Sequence, residues 1–157
     1  VGEGTTFHVC LPVSQGDVKK PVEKTERLFQ TSKRILLIDD ELMITQVVKR
    51  MLEELGCKVT AFSESVEALK RFTENPQDFD LVITDYGMTT MSGKQFAESI
   101  KEIRQDIPII LFTGYGDLIA REEIDTWGID DLLIKPFGLE ELSKVVREVF
   151  GKQGSKE

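Results

Sequence analysis

Four short apolar runs each end on a residue suited to phosphate or cation chemistry. Ile35-Leu36-Leu37-Ile38 leads into Asp39 and Asp40, Leu81-Val82-Ile83-Thr84 into Asp85, Ile109-Ile110-Leu111-Phe112 into Thr113, and Leu132-Leu133-Ile134 into Lys135. Unbroken apolar runs of this length suit strands buried on both faces, the habit of parallel sheets. If the four strands are parallel, all four endings meet at the carboxyl edge of one sheet. Open α/β folds place their sites there.

The segments between the runs read as helices. Ile44, Val47, Val48, Met51 and Leu55 recur at helical spacing, with Gly56 as the C-terminal cap. Cys57 to Phe62 alternates apolar and polar residues, as an edge strand does. Ser63 is the expected N-cap of a second helix whose face is Val66, Leu69 and Phe72 and which Asn75-Pro76 ends. Phe96, Ile100 and Ile103 line a third helix, and Ile107 to Phe112 is the next strand. Gly114-Tyr115-Gly116 leads into a fourth helix around Leu118 to Trp127. Asp131 to Ile134 is the last strand, and Leu142, Val145, Val146 and Val149 give the last helix its buried side. Five βα units with short joints predict a doubly wound parallel sheet. An alternating second strand beside an apolar first one favours the order 2-1-3-4-5, a flavodoxin-like fold.

A chain of 157 residues is long enough for one well-buried domain and too short for two of average size. Residues 33–152 are the expected domain and 153–157 an expected disordered tail. Residues 1–13 read as a single strand with one apolar face, Phe7, Val9, Leu11 and Val13, and residues 14–32 as a polar linker. A lone strand needs partners from elsewhere, so self-association through this strand, or disorder, is expected. A net charge of −8 argues against direct nucleic-acid binding. No apolar run is long enough to cross a bilayer. Two widely spaced cysteines, Cys10 and Cys57, fit neither a disulfide framework nor a zinc site, which suits reducing cytoplasm.

Asp39, Asp40 and Asp85 would bring three carboxylates together at adjacent strand ends. Charges that close repel unless a cation intervenes, and a hard divalent ion such as Mg²⁺ matches oxygen donors that also handle phosphate. Asp85 could then attack phosphorus in line, with Lys135 as the ammonium that neutralises phosphoryl oxygens. Thr113 could hydrogen-bond another oxygen, and Gly114 would leave room for the group. Taken singly, an aspartate after a strand is as often a helix cap. The joint occurrence on successive strands points to a site.

Residues 33–150 resemble a response-regulator receiver domain. Asp39-Asp40, Asp85 with Met88, Met91 and Gly93 downstream, Thr113-Gly114 and Lys135-Pro136-Phe137 stand in that family's order and approximate spacing. The resemblance implies that Asp85 is the phosphoacceptor, Asp40 a direct Mg²⁺ ligand, Asp39 a ligand through water and the Gly87 carbonyl a further ligand. Glu41 adds negative charge beside them. The Lys135-Pro136 bond is expected to be cis. Two positions depart from the family pattern: Leu132 stands where a switch aromatic is usual, and Thr89 where proline is common. Tyr115 is either a shield for the phosphoryl group or an exposed side chain. Leu42 and Met43 lie outside the expected core face of the first helix, as a docking surface or as a cap on the sheet edge.

Gly2 to Phe7, followed by Leu11-Pro12, is similar to the last glycine-rich box and final strand of the histidine-kinase ATP-binding domain. Together the two resemblances imply the C-terminal part of a hybrid sensor histidine kinase. Such a piece lacks the kinase core and catalyses only its own aspartyl phosphorylation and dephosphorylation. Its expected partner is the phosphohistidine of a histidine kinase or of a histidine phosphotransfer protein. A cytoplasmic location is expected, with membrane attachment of the parent protein left open. His8 reads as a strand-face residue rather than a phosphodonor. The competing class is a non-phosphorylated receiver-like module that regulates an attached kinase. A dehalogenase-type hydrolase would want a second aspartate two residues after the nucleophile, where Gly87 stands.

Overall fold

A computed structural model describes Gly4, His8, residues 31–114 and residues 121–153. Among the described residues five strands alternate with five α-helices: β1 Arg34–Ile38, α1 Leu42–Glu54, β2 Lys58–Phe62, α2 Ser65–Glu74, β3 Leu81–Asp85, α3 Gly93–Ile103, β4 Ile109–Thr113, α4 Arg121–Thr126, β5 Asp131–Ile134 and α5 Leu139–Gln153. The strands form one parallel sheet in the order β2-β1-β3-β4-β5. This is the doubly wound, flavodoxin-like arrangement that the strand pattern predicts.

Alternate residues of the central strands feed two cores. Leu36, Ile38, Val82, Ile109 and Leu111 point to one side, where Ala68 and Phe72 of α2, Phe96, Ala97 and Ile100 of α3 and Ile124 of α4 cover them. Ile35, Leu37, Leu81, Ile83, Ile110 and Phe112 point to the other, under Val48 and Leu52 of α1 and Leu142, Val146 and Val149 of α5. Both faces are therefore dry, which is why β1, β3 and β4 are apolar without alternation. The partly exposed β2 and β5 are the edges.

Helix faces differ in detail from their periodicity. In α1 the buried positions are Thr45, Val48 and Leu52, while Val47 is 49 % exposed. Apolar residues run almost all the way round this helix, so spacing alone does not choose a face. Val66 of α2 and Ile103 of α3 are likewise exposed, and the small Ser65, Ala68 and Ala97 pack inward in their helices. Ser63 does not cap α2; Glu64 holds that position, without a side-chain cap. A Ser92/Gln95 capping box opens α3, and a Ser followed three residues later by Gln is its sequence signature.

Gly56 has φ of 81°, beyond the comfortable range of residues with a Cβ. Its N–H donates to the Glu53 carbonyl and that of Cys57 to the Leu52 carbonyl, which closes α1 in a Schellman turn. Of residues 1–13 only Gly4 and His8 are described, and both are exposed and outside any strand. The remainder of the expected first strand, residues 14–30 of the expected linker, Tyr115, the expected helical residues before 121 and residues 154–157 lie outside the described residues. Among the described residues no helix is long and apolar enough to cross a membrane.

Candidate functional site

Register builds the site. Ile38 pairs with Thr84, so the next residues, Asp39 and Asp85, emerge side by side at the carboxyl edge. Asp85 pairs with Phe112, which sets Thr113 one step beyond, and Thr113 pairs with Ile134, which sets Lys135 one step further still. Four residues separated by up to 96 positions thus share one edge.

Lys135 reaches inward across it. Its Nζ lies 2.6 Å from Asp39 Oδ2 and 2.7 Å from Asp85 Oδ1. Asp39 is 1 % exposed and Asp85 8 %, so the ammonium bridges two carboxylates largely withdrawn from water. Burial pushes the Asp39 carboxyl above its ordinary range, against the pull of Lys135 and of the Glu41 N–H. The same burial opposes the Lys135 charge, but the two carboxylates overcome it and hold the ammonium above its ordinary value. The Lys135-Pro136 bond is cis, as expected.

Backbone donors fix the carboxylates. The Glu41 N–H donates to Asp39 Oδ1 at 2.9 Å, the Gly87 N–H to Asp85 Oδ2 at 2.8 Å and the Thr89 N–H to Asp40 Oδ2 at 3.0 Å. Thr89, where the family pattern commonly has proline, therefore supplies an N–H that proline lacks. Carboxylate oxygens of Asp39, Asp40 and Asp85 lie within 4.8 Å of one another. Three hard oxygen donors at that spacing fit a small divalent cation such as Mg²⁺.

Thr113 is buried beside them and Gly114 half-buried, while Gly87 is exposed. Gly93 presses α3 against the end of β3: its N–H donates to the Tyr86 carbonyl, and a methyl group there would collide with the Asp85 carbonyl oxygen. Leu132 packs against the core that holds Ile124. Leu42 and Met43 are 59 % and 73 % exposed and do not join the carboxylate cluster. Sequence reading missed Thr45, whose hydroxyl donates to the Asp39 carbonyl at 2.8 Å. No sequence signal singled it out, because apolar spacing does not choose the buried face of this helix.

The order β2-β1-β3-β4-β5 and a lysine-countered acidic pocket at its carboxyl edge define a flavodoxin-like protein with a site suited to a small divalent cation. The chain belongs to the response regulator receiver domain family, whose model matches residues 35–147, and so to the receivers of two-component signalling.

Among curated relatives, the two-component response regulator ORR22 of Oryza sativa subsp. indica is 33 % identical over 80 % of this chain and 18 % of its own length. The sensor kinase CckA of Brucella abortus is 29 % identical over 98 % of this chain and 17 % of its own. The chain spans less than a fifth of either relative. Among solved structures, a response regulator receiver domain protein from Clostridium thermocellum is 35 % identical at a TM-score of 0.74, covering 80 % of this chain and 99 % of that one. The receiver domain of sensor histidine kinase PA1611 from Pseudomonas aeruginosa is 28 % identical at a TM-score of 0.67, covering 77 % and 99 %. That structure has a magnesium ion coordinated in its active site cleft.

Proposed function

We propose that this chain is the phosphoryl-accepting receiver of a hybrid histidine kinase, with residues 33–152 as the receiver, 14–32 as a linker, 1–13 as the end of the kinase ATP-binding domain and 153–157 as a tail. The observation that carries the phosphoryl-accepting part is the Lys135 ammonium set between Asp39 and Asp85 in a pocket with a third carboxylate and a buried threonine. The hybrid origin is supported by the similarity to CckA, which extends over 98 % of the chain and so beyond the family match.

In this reading a carboxylate oxygen of Asp85 attacks the phosphorus of a phosphohistidine. A new O–P bond forms as the N–P bond breaks, and the histidine nitrogen leaves with the electron pair. Lys135 moves part of its pairing from Asp85 to the phosphoryl oxygens, and the Thr113 hydroxyl and the backbone at Gly114 complete their contacts. Asp40, Asp85 and the Gly87 carbonyl, with Asp39 through water, are the groups that would hold Mg²⁺, which would supply positive charge to the transferring phosphoryl group. Leu42 and Met43 offer an apolar patch beside the site for the donor protein. Tyr115 remains a shielding candidate outside the described residues.

The test is incubation with Mg²⁺ and a small phosphodonor, followed by intact mass of the parent and of Asp85→Asn. An adduct on the parent alone is expected. Absence of adduct on a folded, Mg²⁺-binding parent would instead favour a non-phosphorylated module that regulates its kinase. Alanine at Leu42 and Met43 is expected to slow transfer from a phosphohistidine donor while labelling by the small donor stays unchanged; an unaltered transfer rate excludes docking there.

A further inference from the structure

We infer that Thr45 is a positioning residue for the acidic pair, holding the turn that carries Asp39 and Asp40 in the geometry a cation requires. The inference rests on the phosphoryl-accepting reading above and names a residue that the reading does not use. Thr45 lies in the first turn of α1, 5 % exposed, where the helix otherwise buries apolar side chains. Its Oγ1 is 2.8 Å from the Asp39 carbonyl oxygen and 3.1 Å from that of Glu41.

The second of these contacts is ordinary. A threonine in a helix commonly bonds the carbonyl four residues earlier. The shorter contact reaches six residues back, beyond any helical repeat, and ties α1 to the last residue of the β1 extension. It closes the segment from Asp39 to Thr45, which contains both aspartates of the site.

The other side-chain contacts on this segment work through carboxylate oxygens. Glu41 N–H and Lys135 bind the two oxygens of Asp39, and Thr89 N–H binds Oδ2 of Asp40. A cation draws on those same oxygens. The Thr45 hydroxyl bonds a peptide carbonyl instead and does not compete with it. Partners that orient metal ligands from behind typically contribute 10- to 100-fold in metal affinity, and a buried carbonyl deprived of its donor is free to rotate the peptide that carries Asp40.

Calorimetric titration of the full chain with Mg²⁺, alongside Thr45→Val, Thr45→Ala and Thr45→Ser, tests this, with melting of each in chelator as the measure of fold. Thr45→Val keeps the volume and loses the hydroxyl, and is expected to bind Mg²⁺ about tenfold more weakly. Thr45→Ser keeps the hydroxyl and is expected to bind close to the parent. Parental affinity in Thr45→Val, whatever its melting temperature, overturns the inference and leaves Thr45 a packing residue. Equal weakening in Thr45→Ser and Thr45→Val overturns it as well, because the methyl group is then responsible. If Thr45→Val does not fold, Thr45→Ala is read by the same criteria. No Mg²⁺ binding by the parent overturns the proposed function itself, which separates that failure from a failure of Thr45.

Discussion

Lys135 is the side chain on which the site's electrostatics turn. It bridges Asp39 and Asp85 at 2.6 and 2.7 Å, and its own side chain is only 18 % exposed. Removing one partner of a buried ion cluster leaves uncompensated charge, at a cost of about 3 kcal/mol in such settings. Lys135→Met is therefore expected to lower the urea stability of the metal-free protein by roughly that amount, and added Mg²⁺ to restore more stability to the variant than to the parent. Equal stabilisation of both by Mg²⁺ would show that the ammonium and the cation do not share the same carboxylates. Asp39, Asp85 and Lys135 were legible from residue type and strand ending. Thr45 was not, because a threonine among apolar residues carries no sign of which carbonyl it will meet.

At the scale of elements, α3 is fitted to the site through its first residue. Ser92 caps the helix with Gln95, and Gly93 then passes close over the Asp85 carbonyl oxygen and the Leu111 side chain. A Cβ at Gly93 meets backbone, which cannot step aside as a flexible side chain would, so Gly93→Ala is expected to cost about 3 kcal/mol, the upper end for overpacking. Loss of aspartyl labelling should accompany it, because relief requires α3 to shift away from Asp85. Denaturation midpoints and intact mass on the same sample check both; unchanged stability would mean that the helix moves freely. The existence and order of the strands were readable from apolar runs. The buried faces of α1, α2 and α3 were less so: Val47, Val66 and Ile103 share helical spacing with core residues yet face water.

Across the whole molecule, the carboxyl edge of the sheet gathers Asp39, Asp40 and Asp85 around Lys135, while the opposite edge carries the ion pair of Arg34 with Asp80. Arg34 at the start of β1 donates through its backbone and guanidinium to Asp80, just before β3. Partial burial alone would raise the Asp80 carboxyl, but the Arg34 hydrogen bonds outweigh it and hold Asp80 below its ordinary range. A carboxyl depressed in the folded state contributes stability above its unfolded value, near 3.9, and that contribution fades as pH falls through the lower folded value. Asp80→Asn is thus expected to be less stable than the parent at neutral pH, with the gap closing in acid. Urea midpoints from about pH 7 to about pH 2.5 span the window; a gap independent of pH would assign the effect to packing.

The sequence by itself determined the fold class and the composition of the candidate site. Apolar runs of strand length, spaced by amphipathic segments, leave few ways to bury both faces of a sheet, and the residues ending Ile38, Thr84, Phe112 and Ile134 define which groups meet at its edge. Only the tertiary structure decided the contacts. Register turned Asp39 and Asp85 into neighbours that one lysine spans, and helix rotation carried Thr45 inward and left Leu42, Met43 and Val47 in water. Local sequence specifies periodicity, whereas the rotation of a helix on a sheet follows from the packing of all its neighbours at once.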